Sequence, residues 1–191
     1  TGFLDDNRST QETVLGRPVL GALENIAELM EETTEFLVAF GQISSVVSRR
    51  HAASLLADAN AKLATVVSPS AYVSATSSLG EGVAVFPGSV VGSGVTIAKN
   101  CIVNSGAIVE HGSFIEENCH VSTGVVLNGG VKVGHSSFIG SGAIVFQGVS
   151  IPPNSIVPAG FLVSERSLPD LVAMQSKFGD SDPIRERHGN E

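Results

Sequence analysis

The sequence predicts a parallel β-helix preceded by a partial α/β subdomain, and three columns of residues predict it. From Val67 to Val163 every sixth residue is Val, Ile or Leu, seventeen times in succession. Three residues after each, ten of the sixteen positions from Ser70 to Gly160 are Gly and three are Asn (Asn100, Asn118, Asn154). Two residues before each apolar position the residue is mostly small, as at Ala71, Ser89, Cys101, Ala107, Cys119 and Ser155. Columns held in phase over about a hundred residues mark a repeat architecture.

Each hexad is therefore a short extended piece followed by a turn. Its aliphatic residue points inward, its small neighbour lets the next wall approach, and the Gly/Asn column supplies positive φ. Three walls close a triangular coil of eighteen residues, and coils stack at the parallel-strand spacing of about 4.8 Å. Seventeen hexads make nearly six coils, with open edges only at the two ends. An antiparallel sandwich requires period-two alternation and irregular turn spacing instead. The pattern resembles the hexapeptide-repeat, left-handed parallel β-helix, an exception to the right-handed crossover rule. Val103, Val121 and Ile139, eighteen residues apart, are expected to stack on one wall with their side chains in the core. Cys101 and Cys119 share that spacing in the small column, and are expected to be reduced core residues, consistent with the cytoplasm.

Composition narrows the class. In 191 residues only 5% are aromatic and none is Trp, which suits a narrow aliphatic core. Eleven basic against nineteen acidic residues leave a net charge of −8 without a basic stripe, which argues against a nucleic-acid partner. Apolar runs such as Phe36–Phe40 are far short of a membrane span. No secretory signal is visible, and the chain begins at Thr1 rather than Met.

Residues 1–62 follow other rules. Phe3-Leu4 reads as the end of a strand, followed by a turn at Asp5-Asp6. Pro18-Val19-Leu20-Gly21 precedes a helical stretch from about Ala22 to Met30, Phe36–Phe40 reads as a buried strand, and Ser45 to Ala59 as a second helix. This alternation suggests half of a Rossmann-like α/β unit whose first strand and Gly-rich loop are absent. Residues 63–164 form the β-helix, and 165–191 are expected to be a tail with a short helix and a disordered end.

The order Gly2-Phe3-Leu4-Asp5-Asp6, Pro18-Val19-Leu20-Gly21, Ser68-Pro69-Ser70-Ala71-Tyr72-Val73 carries a resemblance, and Asn104-Ser105-Gly106-Ala107-Ile108-Val109-Glu110-His111, His120-Val121-Ser122 and Gly129-Gly130 sharpen it. Over residues 2 to about 169 the chain resembles bacterial hexapeptide-repeat sugar acetyltransferases, the sialic-acid O-acetyltransferase and bacillosamine-type N-acetyltransferase family. The segment from Ser122 to Gly129 looks nearer the sialic-acid branch. The resemblance implies a cytoplasmic homotrimer with acetyl-CoA along the groove between neighbouring β-helices. It implies direct attack of a sugar or nucleotide-sugar amine or hydroxyl on the thioester. His111, in an outward turn, is the expected general base, with Glu110 beside it. A backbone N–H of the Gly129-Gly130 turn is the expected oxyanion donor. By position, Asn104 is expected to hold the acceptor and His120 the cofactor side of the groove. Ser141 and Gly142 are expected to add backbone contacts to the cofactor, and Asp5 and Asp6 to contact the nucleotide or its sugar. No metal is expected.

Three departures stand against the resemblance. Many family members follow the histidine with Asp or Glu, whereas Gly112 follows here, leaving Glu110 or Glu116 to replace that acid; the sialic-acid branch tolerates Gly at this place. After Ser164 the chain runs Leu168-Pro169-Asp170-Leu171 instead of the usual last coil, so the hold on the adenine end of CoA is open. The absent Gly-rich loop leaves the acceptor site incomplete. Two other classes remain: a β-helix carbonic anhydrase, needing three histidines to meet on zinc across an interface, and a non-catalytic trimeric scaffold. His135 lies in a turn and reads as a surface residue.

Overall fold

The inward aliphatic column sets the architecture. Each hexad contributes one two-residue strand ending on that column, from Val66–Val67 to Leu162–Val163. The computed structural model describes residues 1–42 and 47–169. The strands form three parallel walls, the first and second of six strands and the third of five. This is the expected left-handed parallel β-helix. Partners lie one coil apart, so Val103 pairs with Val121 and Val121 with Ile139. Val103, Val109, Ile115, Val121 and Leu127 are fully buried. Each such side chain contributes about 1.5–3 kcal/mol of hydrophobic burial.

The turn column takes positive φ at every position from Gly82 to Gly160, including Asn100, Asn118 and Asn154. Ser136 joins it at φ 58°. Turns between the first and second walls form a first edge of the prism, those between second and third walls a second edge, and those from the third back to the first a third edge. Cys101 and Cys119 are free and buried. The Cys119 thiol is pushed up by its hydrogen bond with Cys101 and then by burial, which keeps it protonated.

The amino-terminal residues build a separate small core around Ile26, Val38, Ala52 and Leu56. Strand β1 (Phe3–Leu4) pairs parallel to β3 (Arg17–Gly21), and β2 (Thr13–Val14) pairs antiparallel to β3. The stretch expected as an α-helix from Ala22 to Met30 is a 3₁₀ helix, Leu23–Leu29. Its apolar residues Leu23, Ile26 and Leu29 recur every three positions, which matches three residues per turn. The strand expected at Phe36–Phe40 reduces to a single parallel bridge between Phe36 and Leu63. The reason is local: the carbonyls of Val38 and Phe40 accept hydrogen bonds from Arg49 instead of a ladder neighbour. Arg49 lies on helix α1 (Val47–Asp58), the second expected helix; Ser45 and Val46 lie outside the described residues. Of the tail, residues 170–191 also lie outside them. Among the described residues no helix is long and apolar enough to cross a membrane.

Candidate active site

Two edges of the prism carry the expected site residues. On the second edge, Glu110, His111 and Gly112 follow the strand Ile108–Val109, and Gly129-Gly130 lie one coil further. Coil stacking bonds the Gly130 N–H to the His111 carbonyl at 2.9 Å. The His111 imidazole then rests over Gly129, where a Cβ would stand 2.6 Å from both Cε1 and Nε2. Any side chain at 129 therefore displaces the ring. His111 is exposed, and its ring has no hydrogen-bond partner among the described residues. Among the described residues Glu110 Oε2 accepts only the His111 backbone N–H, at 3.4 Å. Glu116 is drawn to the third edge, where its Oε2 accepts the His135 N–H at 2.7 Å. Among the described residues neither carboxylate makes a hydrogen bond to the His111 ring.

The ladder separates the backbone candidates. The N–H groups of Gly130 and Gly142 donate to the carbonyls of His111 and Thr123, each at 2.9 Å. Those of Gly129 and Ser141, one residue earlier in the hexad, take no backbone partner among the described residues. On the Gly129-Gly130 turn the N–H that the ladder does not use is thus that of Gly129.

The first edge carries Asn104, Ser141 and Gly142. Asn104 Oδ1 accepts the Ser105 N–H at 2.8 Å, and its Nδ2 lies 3.2 Å from His120 Nε2. Ser141 and Ser122 hydroxyls bond at 2.9 Å. His120 sits on the outer face of the first wall but is only 6% exposed, because Gly41 and Gln42 cover it. Its Nδ1 lies 3.0 Å from the Gln42 carbonyl and 3.3 Å from the Gln42 backbone nitrogen, and Phe138 meets its ring edge-on at 5.3 Å. Burial pushes the His120 pKa down, the Gln42 carbonyl opposes this, and the Arg49 charge adds to it. His120 is therefore a neutral imidazole.

Asp5 and Asp6 lie on neither edge. Asp6 Oδ1 accepts the Leu23 N–H at 2.8 Å, and Asp5 holds the Asn7 N–H at 2.9 Å and Arg8 Nε at 3.3 Å. His111, His120 and His135 stand on the second edge, the first wall and the third edge, and among the described residues no cluster of three metal-ligating side chains occurs. Sequence reasoning passed over Gln42 and Arg49, which join the two subdomains. Only Arg49 left a signal, a cation among the apolar positions of a short helix.

A β-helix of hexads with an exposed histidine seated over a glycine at one edge is the arrangement expected of a hexapeptide-repeat acyltransferase. Solved structures agree. A histidine variant of GDP-perosamine N-acetyltransferase from Caulobacter crescentus, in complex with CoA and GDP-perosamine, is 34% identical with a TM-score of 0.77, covering 85% of this chain and 76% of that one. The acetyltransferase domain of PglB from Neisseria gonorrhoeae is 29% identical with a TM-score of 0.78, covering 85% and 78%. That domain is also known in complex with acetyl coenzyme A. The chain belongs to the hexapeptide-repeat sugar acetyltransferases of the sialic-acid O-acetyltransferase and bacillosamine-type N-acetyltransferase family. It is an acyltransferase. No protein-family model and no curated protein sequence matches it.

Proposed function

We propose that this enzyme transfers the acetyl group of acetyl-CoA to a nucleotide-linked amino sugar in bacterial surface glycan biosynthesis, with His111 as general base. The observation that carries this is the exposed His111 imidazole, unbonded at both nitrogens among the described residues and seated over Gly129. The second edge suits a donor lying along it, since a Cβ at Gly112, Gly130 or Gly148 meets nothing within 4 Å. Acetyl-CoA supplies an activated thioester carbonyl there. His111 takes the proton from the attacking amine, and the Gly129 N–H donates to the carbonyl oxygen as it gains negative charge. The C–S bond then breaks, and CoA leaves as the thiol on taking the proton from the imidazolium. Glu110, whose carboxylate accepts the His111 backbone N–H, is the adjacent negative charge that favours the imidazolium. Asn104 meets the acceptor from the first edge. Gly112 after the histidine keeps a sialic-acid-type acceptor as the second reading.

His111 and Asn104 lie on different edges of one prism, and the second wall lies between them. Its outer residues Tyr72, Val90, Ile108, Val126, Ile144 and Leu162 are all apolar, with Tyr72 62% and Leu162 51% exposed. On the first wall Ala84, Ile102 and His120 are buried and Val66 at its start is exposed, and the third wall presents Ser78, Thr96, Lys132 and Ser150 around one exposed apolar residue, Phe114. A bare apolar wall flanked by two half-sites supports a homotrimer in which the second edge of one copy meets the first edge of the next. Two separate cores support reading 1–62 and 63–164 as two units. The free buried thiols support a cytoplasmic location.

A panel of sugar nucleotides, assayed by thiol release from acetyl-CoA, tests the activity. His111→Ala lowers kcat/KM by about 10²–10⁴ without changing the melting temperature or particle mass. Wild-type turnover in that variant, with acceptor and donor saturating, refutes the base.

A further inference from the structure

A chain of hydrogen bonds runs from the amino-terminal core to the first edge. Arg49 is 1% exposed. Its Nη1 donates to the Val38 carbonyl at 3.0 Å, and its Nη2 to Asn100 O and Oδ1 at 3.0 and 2.8 Å. The guanidinium thus pins residues 38–40 to the third edge of the prism. Burial lowers its pKa to about 10, so it stays cationic at neutral pH. Two residues beyond Phe40, the Gln42 side chain is 2% exposed and donates from Nε2 to the Ser137 carbonyl at 3.0 Å. This places the Gln42 carbonyl against His120 Nδ1.

The far end of the chain decides the tautomer of His120. Asn104 Oδ1 is occupied by the Ser105 N–H, so it is the Nδ2 amide that faces His120 Nε2. A donor there requires Nε2 to accept, which puts the imidazole hydrogen on Nδ1, where the Gln42 carbonyl accepts it. The opposite tautomer would accept from the Gln42 N–H, which also faces Nδ1 at 3.3 Å. But it sets the Nε2 and Asn104 donors face to face and leaves the nearer Gln42 carbonyl without a hydrogen, so two of the three contacts favour Nδ1–H. An amide nitrogen has two hydrogens, and with one given to His120 the other remains a donor for a ligand.

We propose that His120 is a positioning residue for Asn104: the Gln42 carbonyl holds it as the Nδ1–H tautomer, and its bare Nε2 fixes the Asn104 amide that faces the acceptor sugar. This rests on the reading of Asn104 as the acceptor contact. It moves His120 from the donor side of the reaction, where the resemblance puts it, to the acceptor side. Acceptor binding thereby becomes dependent on the docking of the amino-terminal core, through Arg49 and Gln42.

The test compares His120→Leu, Asn104→Ala, their double variant and His120→Gln in the full chain, with acceptor and acetyl-CoA KM measured separately. Each of the first two raises acceptor KM by about tenfold, the scale of one lost hydrogen bond. The double variant is no worse than the poorer single one, because both remove the same link. Acetyl-CoA KM stays within about twofold, and His120→Gln, whose amide offers a donor and an acceptor, restores most of the loss. Nitrogen-15 spectra of wild-type protein labelled at histidine show the hydrogen of His120 on Nδ1. A raised acetyl-CoA KM with unchanged acceptor KM, additive losses, or an Nε2–H tautomer each overturns the proposal. Absence of CoA release from wild type with every sugar defeats the acetyltransferase reading instead, and the spectra still decide the tautomer.

Discussion

The third edge of the prism and the other two share one backbone and differ in what they carry. At the same turn position the third edge has Asn100, Asn118, Ser136 and Asn154, whereas from Gly88 onward the first and second edges have only Gly. The φ values hardly differ, 55° at Asn100 and 59° at Asn118 against 67° at Gly106 and 65° at Gly124. On the third edge the side chains bond to one another and to the amino-terminal core: Asn100 Nδ2 donates to Asn118 Oδ1 at 2.7 Å while accepting from Arg49. On the first edge a Cβ at Gly106, Gly124 or Gly142 meets nothing within 4 Å. Crowding within the chain therefore does not demand glycine there. An edge dressed with side chains serves the fold, and an edge stripped of them leaves its backbone open to another molecule.

The largest effect should come from the shared interior, to which all three edges are equally tied. Val121→Asp buries an isolated carboxylate at several kcal/mol, so the protein should lose its cooperative melt and its assembly together. Unchanged melting temperature and mass would remove the claim that this column is the core. Next comes the wall between the bare edges. Ile144 is 41% exposed in the chain, so Ile144→Glu should spare the coil while dispersing the assembly. Light scattering should then fall from about three times the 19.7 kDa chain mass to one, and a trimer that survives would place the contact elsewhere. The smallest effect contrasts the edges directly. Asn118→Gly removes the acceptor for Asn100 and should cost about 1 kcal/mol of stability with little change in turnover. Gly124→Asn should cost less stability, since Asn tolerates this φ, yet lower activity more. The reverse ranking would erase the distinction between dressed and bare edges.

Much of this was legible in the chain. The six-residue period specified the coil, its three-wall register and the outward place of His111, because each depends on spacing alone. The bare apolar wall was legible too, had the residue before each core position been read in every third hexad: Tyr72, Val90, Ile108, Val126, Ile144 and Leu162. The amino-terminal core was read less well. Its short segments have no period long enough to separate a 3₁₀ turn from an α-helix, and Val38 and Phe40 lost their strand partners to an arginine nine or more residues away. Spacing does not show which carboxylate stands nearer His111; the structure puts Glu116 on the third edge, bonded to the His135 N–H.

By itself the sequence determined the β-helix, its core and the edge on which His111 stands, because a repeat turns local spacing into global position. Only the tertiary structure decided which donors and surfaces remain available. It assigned the Gly130 N–H to the coil ladder and left the Gly129 N–H without a ladder partner, it placed Gly129 beneath the imidazole, and it buried His120 behind Gln42. Those outcomes depend on which groups meet across coils and between the two cores, and hydrogen bonds between residues 78 positions apart leave no trace in local spacing.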